Sequence, residues 1–119
     1  METRKIGNIK IPPLIFGTNV FGWTVNEKMS FTLLDKLFDA GLNCIDTADI
    51  YSKWGDGNVG GESETIIGKW LHLKGNREKM IVCTKVGMEM SQQEKGLSEK
   101  YILKAVDASL RRLQTDYID

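Results

Sequence analysis

Met80-Ile81-Val82-Cys83-Thr84-Lys85 is four apolar residues in a row closing on a polar pair. A strand with one wet face alternates apolar and polar side chains. A parallel strand covered on both faces reads instead as an unbroken apolar run. Shorter runs of the same kind stand upstream at Leu14-Ile15-Phe16-Gly17 and Asn43-Cys44-Ile45-Asp46, and Tyr117-Ile118-Asp119 begins a fourth. Helical patterns fill the intervals. Ser30 is a good N-cap for a helix carrying Phe31, Leu34, Leu37 and Phe38 on one face, and Gly41 is placed to stop it. A second helix starts near Glu62–Glu64, where carboxylates meet the positive end of the dipole. Its apolar face is Ile66, Ile67, Trp70 and Leu71, and Gly75 ends it. Ser98 caps a third, with Ile102, Val106, Leu110 and Leu113 predicted inward. Ahead of all this, Lys5-Ile6 and Ile9-Lys10-Ile11 flank Gly7-Asn8, a dipeptide suited to a two-residue hairpin turn, and Pro12-Pro13 closes the hairpin.

The order is therefore hairpin, then β-α-β-α-β-α-β. Alternating elements with right-handed crossovers make a parallel sheet. The strands start near residues 14, 43, 80 and 117, a spacing that suits βα units with long loops on one side. No linker or second domain interrupts residues 1–119: the hairpin (1–13) caps one run of βα units (14–119). An open doubly wound sheet and part of a closed barrel share this pattern.

Composition narrows the class of function. The chain is 41% hydrophobic and 27% charged, with sixteen basic and sixteen acidic residues. A balanced charge with no basic cluster argues against nucleic acid and anionic membranes as partners. No stretch resembles a signal peptide or a transmembrane helix. The two cysteines, Cys44 and Cys83, fall in apolar runs with no metal-binding spacing, as core residues of a reduced, cytoplasmic protein do. No metal site is expected, and the oligomeric state is unassigned.

The polar residues at the strand ends carry the chemistry, because ligands of parallel α/β folds sit at the carboxyl ends of the strands. Asp46 ends the second strand, Lys85 ends the third, and Tyr51 lies in the loop after Asp46. A free tyrosine, with a pKa near ~10, gives up its proton reluctantly at neutral pH. An ammonium at ~4 Å favours the phenolate by on the order of 4 kcal/mol at an effective dielectric of ~20. Asp46 would hold Lys85 in place and charged. The same residues also read as an ordinary Asp–Lys ion pair beside a loop tyrosine, and spacing alone does not choose between the two.

Five blocks follow one another in order: Gly17-Thr18; Asp46-Thr47-Ala48-Asp49-Ile50-Tyr51; Gly61-Glu62-Ser63-Glu64 with Ile67-Gly68; Arg77-Glu78-Lys79 leading to Thr84-Lys85-Val86-Gly87; and Ser109-Leu110-Arg111-Arg112-Leu113 running into Asp116-Tyr117-Ile118-Asp119. Together they resemble the aldo-keto reductases. The resemblance covers essentially the whole chain. It implies the N-terminal part of a (β/α)8 TIM barrel, about three βα units and the start of strand 4. It implies an NADPH-dependent oxidoreductase that reduces aldehydes or ketones to alcohols, with a small-molecule carbonyl as its partner. Tyr51 is then the proton donor, tuned by Lys85 and Asp46, and Gly17, Thr18 and Asp46 lie near the nicotinamide and its ribose. Trp23 and Trp54 would line the substrate pocket. The family also uses a histidine shortly after a Tyr-Ile-Asp segment, and the sequence ends at Asp119. An isolated polypeptide of this length is therefore expected to be inactive and loosely folded. A nucleotide-binding regulatory subunit is the alternative reading.

Weaker signals have plainer explanations. Gly55-Asp56-Gly57-Asn58-Val59-Gly60 spells G-x-G-x-x-G but does not follow a strand directly, as a dinucleotide-binding turn must. Trp70 is expected in the core and the single histidine, His72, on a helix away from the strand ends. Met88 and Met90 suit substrate contact and gap filling equally. Period two would turn Cys44 and Cys83 to the same side as Asp46 and Lys85, where buried filler is the default.

Overall fold

The computed structural model describes residues 1–119. The hairpin forms as the sequence indicates: β1 (Arg4–Ile6) and β2 (Ile9–Ile11) pair antiparallel, and Gly7 turns the corner at φ 57°. The central sheet is parallel, in the order β3 (Phe16–Gly17), β4 (Cys44–Asp46), β5 (Ile81–Cys83). Phe16 pairs with Ile45, Gly17 with Asp46, and Asp46 with Cys83, so the ends of all three strands stand in one row.

Three helices cover one face. They are α1 (Glu27–Asp39), α2 (Glu62–Lys74) and α3 (Glu99–Leu113). Ile45 and Val82 face them and join Leu34, Ile66, Ile67, Trp70, Leu71, Met80 and Leu113 in one buried cluster. Trp70 is fully buried, and its indole N–H donates to Asp35 at 2.8 Å, so the polar end of a large core residue is satisfied.

The structure refines several of these expectations. α1 is capped by Asn26, whose side chain accepts from Met29 N, one turn ahead of the expected Ser30. Ser30 is inside the helix, and its hydroxyl donates to Asn26 O at 2.8 Å. Leu14 and Ile15 lie outside the sheet and are exposed, because the pairing with β4 begins only at Phe16. The buried stripe of α3 is Ala105, Ser109 and Leu113, while Val106, expected inward, is 37% exposed. The close approach of α2 explains this rotation: a methyl on Gly68 would overlap the Arg112 carbonyl and come within 2.8 Å of Leu113. Small side chains therefore face α2, and Val106 and Leu110 turn to the flank. Finally, Tyr117–Asp119, read as the start of a fourth strand, comes alongside β5 without a ladder of its own. It reaches β5 through Asp119, whose N–H donates to Val82 O at 3.3 Å and whose carboxylate accepts from Val82 N at 2.9 Å.

Candidate active site

Backbone bonding continues past the formal strand ends and sets the site. Thr18 N–H donates to Asp46 O, Thr47 N–H to Cys83 O and Asp49 N–H to Lys85 O, at 3.0, 2.9 and 3.2 Å. The segment Thr47–Tyr51 is thereby laid along the end of β5 instead of swinging free. A buried hydroxyl cluster holds the same corner from below. Thr18 Oγ1 donates to Asp46 O at 2.9 Å. Ser63, at the start of α2, donates to Thr18 O at 2.9 Å and lies 2.8 Å from Thr18 Oγ1 and 2.9 Å from Thr47 Oγ1. All three hydroxyl residues are fully buried, so Thr18 reaches the site through the backbone it fixes. Sequence reasoning gave no role to Ser63, although its place at the helix start beside two threonine-bearing strand ends was the available signal.

Within this frame the three polar residues come together. Lys85 Nζ donates to Asp46 Oδ2 at 2.6 Å and to Thr47 O at 2.8 Å. The Tyr51 hydroxyl donates to the same Asp46 oxygen at a longer 3.5 Å, and Lys85 Nζ stands 4.7 Å from the centre of the Tyr51 ring. Burial works against the ammonium, but the hydrogen bonds and charges of Asp46 and Tyr51 outweigh it, and Lys85 is held above the ordinary lysine value. The group beside the phenol is therefore a firmly charged cation. Gly17, next to Asp46 in the register, faces open space: a Cβ there would meet nothing nearer than Asn19 at 4.0 Å.

One wall of the mouth is aromatic. Trp23 and Trp54 are 47% and 50% exposed, with ring centroids 5.9 Å apart, and Trp54 lies 6.4 Å from the Tyr51 ring. Two polar ties join their loops. Asn58 Nδ2 donates to Gly22 O and Ser52 O at 2.8 Å each, and Ser52 Oγ donates to Phe21 O. Met88 is exposed, and Met90 packs against Gly60.

The discounted signals find physical explanations. The N–H groups of Val59 and Gly60, at the end of the G-x-G-x-x-G string, point at the Glu62 carboxylate at 3.2 and 2.9 Å. The chain's own carboxylate thus takes up the two N–H groups that end the string. Cys44 is buried, and burial first, with the neighbouring Cys83 and carboxylate charges, pushes its thiol up to about 12, which leaves it unreactive. His72 sits exposed on α2. No group of three or more His, Cys, Asp or Glu gathers as metal ligands would. No helix is long and apolar enough to cross a membrane.

Residues 13–119 match the aldo/keto reductase family. The chain belongs to that family. It is 57% identical over 96 residues to an uncharacterised 11.2 kDa protein of Pseudescherichia vulneris, a match covering 78% of this chain and 93% of that protein. It is 36% identical over 129 residues to norsolorinic acid reductase stcV of Emericella nidulans, covering 96% of this chain and 32% of that one. Among solved structures, the holo form of aldo-keto reductase AKR11C1 from Bacillus halodurans superposes with a TM-score of 0.80 at 38% identity. That match covers all of this chain and 38% of the other, so the chain spans roughly a third of these longer relatives. The parallel sheet with helices along one face is accordingly part of an aldo-keto reductase barrel, and the choice between barrel and doubly wound sheet is closed.

Proposed function

We propose that the protein is an NADPH-dependent carbonyl reductase acting in the cytoplasm, with Tyr51 as the proton donor to the carbonyl oxygen of a small aldehyde or ketone. The observation that carries this reading is the shared Asp46 oxygen: Lys85 Nζ and the Tyr51 hydroxyl both point at it, at 2.6 and 3.5 Å. Lys85 is pinned where its charge acts on the phenol, while the longer Tyr51 bond leaves the hydroxyl free to turn toward a substrate.

A nicotinamide fits the residues present. Gly17 offers a bare backbone facing open space beside the Asp46 carboxylate, so a flat ring meets no side chain there, and the backbone at Thr18 is fixed by the buried hydroxyls. Gly17, Thr18 and Asp46 would hold that end of the cofactor. When bound, the reduced nicotinamide supplies the hydride that the carbonyl carbon accepts. Tyr51 transfers its hydroxyl proton to the carbonyl oxygen, completing the alcohol, and the phenolate left behind faces the Lys85 ammonium. Trp23 and Trp54 give an apolar wall that keeps water from the phenol once a substrate covers them.

Tyr51→Phe tests the assignment on the protein expressed from its own gene. Carbonyl-dependent oxidation of NADPH should fall at least ~100-fold, the usual weight of a positioned general acid, with NADPH binding retained. Unchanged turnover in that variant would show that Tyr51 is not the donor.

A further inference from the structure

Behind the Thr47–Tyr51 segment, on the helix side, lies a charged cluster that the site described above does not use. Asp49 and Glu64 are both buried carboxylates, and the positive charge of Arg112 of α3 acts on both. Arg112 Nη2 reaches Glu64 Oε1 and Ser109 Oγ, each at 3.4 Å, and Ser109 Oγ donates to that Glu64 oxygen at 3.2 Å. The side chain passes α2 at Gly61, where any Cβ would meet Arg112 Cδ at 2.6 Å; Gly61 adopts φ 89° there. The outer end of the cluster closes on a cavity of about 40 Å³ lined by Asp49, Arg112, Tyr101, Glu94 and Lys104. Two buried atoms are left without partners, Glu64 Oε2 and Arg112 Nε. This is not the arrangement that maximises stability, since two desolvated carboxylates lie near one guanidinium that bonds only Glu64 of the two, and that at 3.4 Å.

Asp49 is the connection. Its N–H donates to the Lys85 carbonyl at 3.2 Å, and it stands two residues before Tyr51. One side of this residue is thus tied to the lysine of the site, and the residue lines the same small cavity as Arg112. We infer that Arg112 is a positioning residue: bonded to the buried Glu64, and setting its charge across the small cavity from the buried Asp49, it steadies the turn that sets Tyr51 and Asp46 against Lys85. The inference rests on the Tyr51–Lys85–Asp46 reading of the site, but its test needs no turnover.

The readout is the titration of the Lys85 amine, followed by NMR of the labelled side chain, because Lys85 is raised by Asp46 and Tyr51 only while they stand against it. In Arg112→Met the midpoint should fall by at least about half a pH unit toward the free-lysine value. Arg112→Lys, which keeps the cation, should recover most of that fall. Arg112→Met/Glu64→Gln removes one stranded buried charge, so it should fold where the single variant does not and still show the lowered midpoint. A folded Arg112→Met or double variant whose Lys85 titrates as in the parent overturns the inference. So does equal loss in Arg112→Lys and Arg112→Met. If neither Met-bearing variant folds, native-state amide exchange of the parent decides. The Asp49 and Tyr51 N–H groups should open together with the last turn of α3, and their exchange while that turn stays closed overturns the proposal. A lowered Lys85 midpoint in a protein without reductase activity would leave this inference standing and remove only the proposed function.

Discussion

At the scale of single residues, the site is a matter of which charges are fixed and which are stranded. Lys85 is fixed by Asp46 and the Thr47 carbonyl. Glu64 is half-stranded, with Oε1 bonded and Oε2 without a partner: burial pushes its carboxyl up, and the Arg112 charge only partly offsets this. A carboxyl with a raised folded-state pKa holds its proton longer in the folded chain than in the unfolded one. Its contribution to stability is therefore complete below the ordinary glutamate value and is lost as pH rises through the folded value. Above the ordinary glutamate value, Glu64→Gln should remove that downward slope from urea midpoints; a slope unchanged from the parent would mean that Glu64 is not the source of it. Cys44 gives a simpler check. With its thiol pushed up to about 12 and no exposure to speak of, the folded chain should take at most one alkyl adduct near neutral pH and the denatured chain two. Two adducts on the folded chain would contradict the burial. The trio itself was legible in the sequence because polar residues after apolar strands announce themselves. Ser63, Asp49 and Arg112 were not, because a buried hydroxyl or charge looks like a surface residue until its partners, 45 or more positions away for Ser63–Thr18 and Arg112–Glu64, are folded onto it.

Among the elements, α2 and α3 determine how tightly the site is backed. Gly68 lies in the middle of α2, where glycine weakens a helix by roughly 0.5–1 kcal/mol relative to alanine. It is there because α3 comes too close for a methyl group. Gly68→Ala should therefore destabilise by about 1–3 kcal/mol through overpacking despite the better helix propensity, seen as a lower denaturant midpoint. A stabilised variant would mean that the helices are not in contact at that point. The N-cap of α3 is independent of this: Ser98 accepts from Tyr101 N at 3.2 Å, and Ser98→Ala should cost about 1 kcal/mol. That cap was readable in advance, and so were both ends of α2. The start of α1 was not, since Asn26 and Ser30 are one helical turn apart and both are capping residues. Only the tertiary fold chooses the earlier one. The inward stripe of α3 was missed for a related reason: hydrophobic periodicity locates the largest apolar side chains, whereas a close helix crossing selects the smallest.

For the molecule as a whole, one flank remains apolar. Val86, Ala105, Val106, Leu110 and Ile118 line a cleft of about 540 Å³ beside β5, and Lys85 lies at its edge. Val106 and Tyr117 are exposed there, and β5 meets only Asp119 along that side. A polypeptide of these 119 residues alone is expected to self-associate through this flank, read as a mass above the monomer in light scattering. A monomer with a sharp thermal transition would show that the flank is stable in water. Fold class and element order were open to sequence reasoning because each strand and helix carries its own period. Barrel and doubly wound sheet were not separable that way, because they differ in how the sheet closes and not in any local pattern. The resemblance carried by the five blocks supplied that choice, and the superposition on an aldo-keto reductase structure bears it out.

Whether Tyr51 and Lys85 act as one proton-donating unit is tested most directly by a double-mutant cycle on the protein expressed from its own gene. Carbonyl reduction is measured for Tyr51→Phe, Lys85→Met and the double variant. Residues acting as a unit are strongly non-additive. The double variant is therefore predicted to be no slower than the slower single one. Losses that multiply would mean that the two residues act separately, and the ion pair at the strand ends would then be structural.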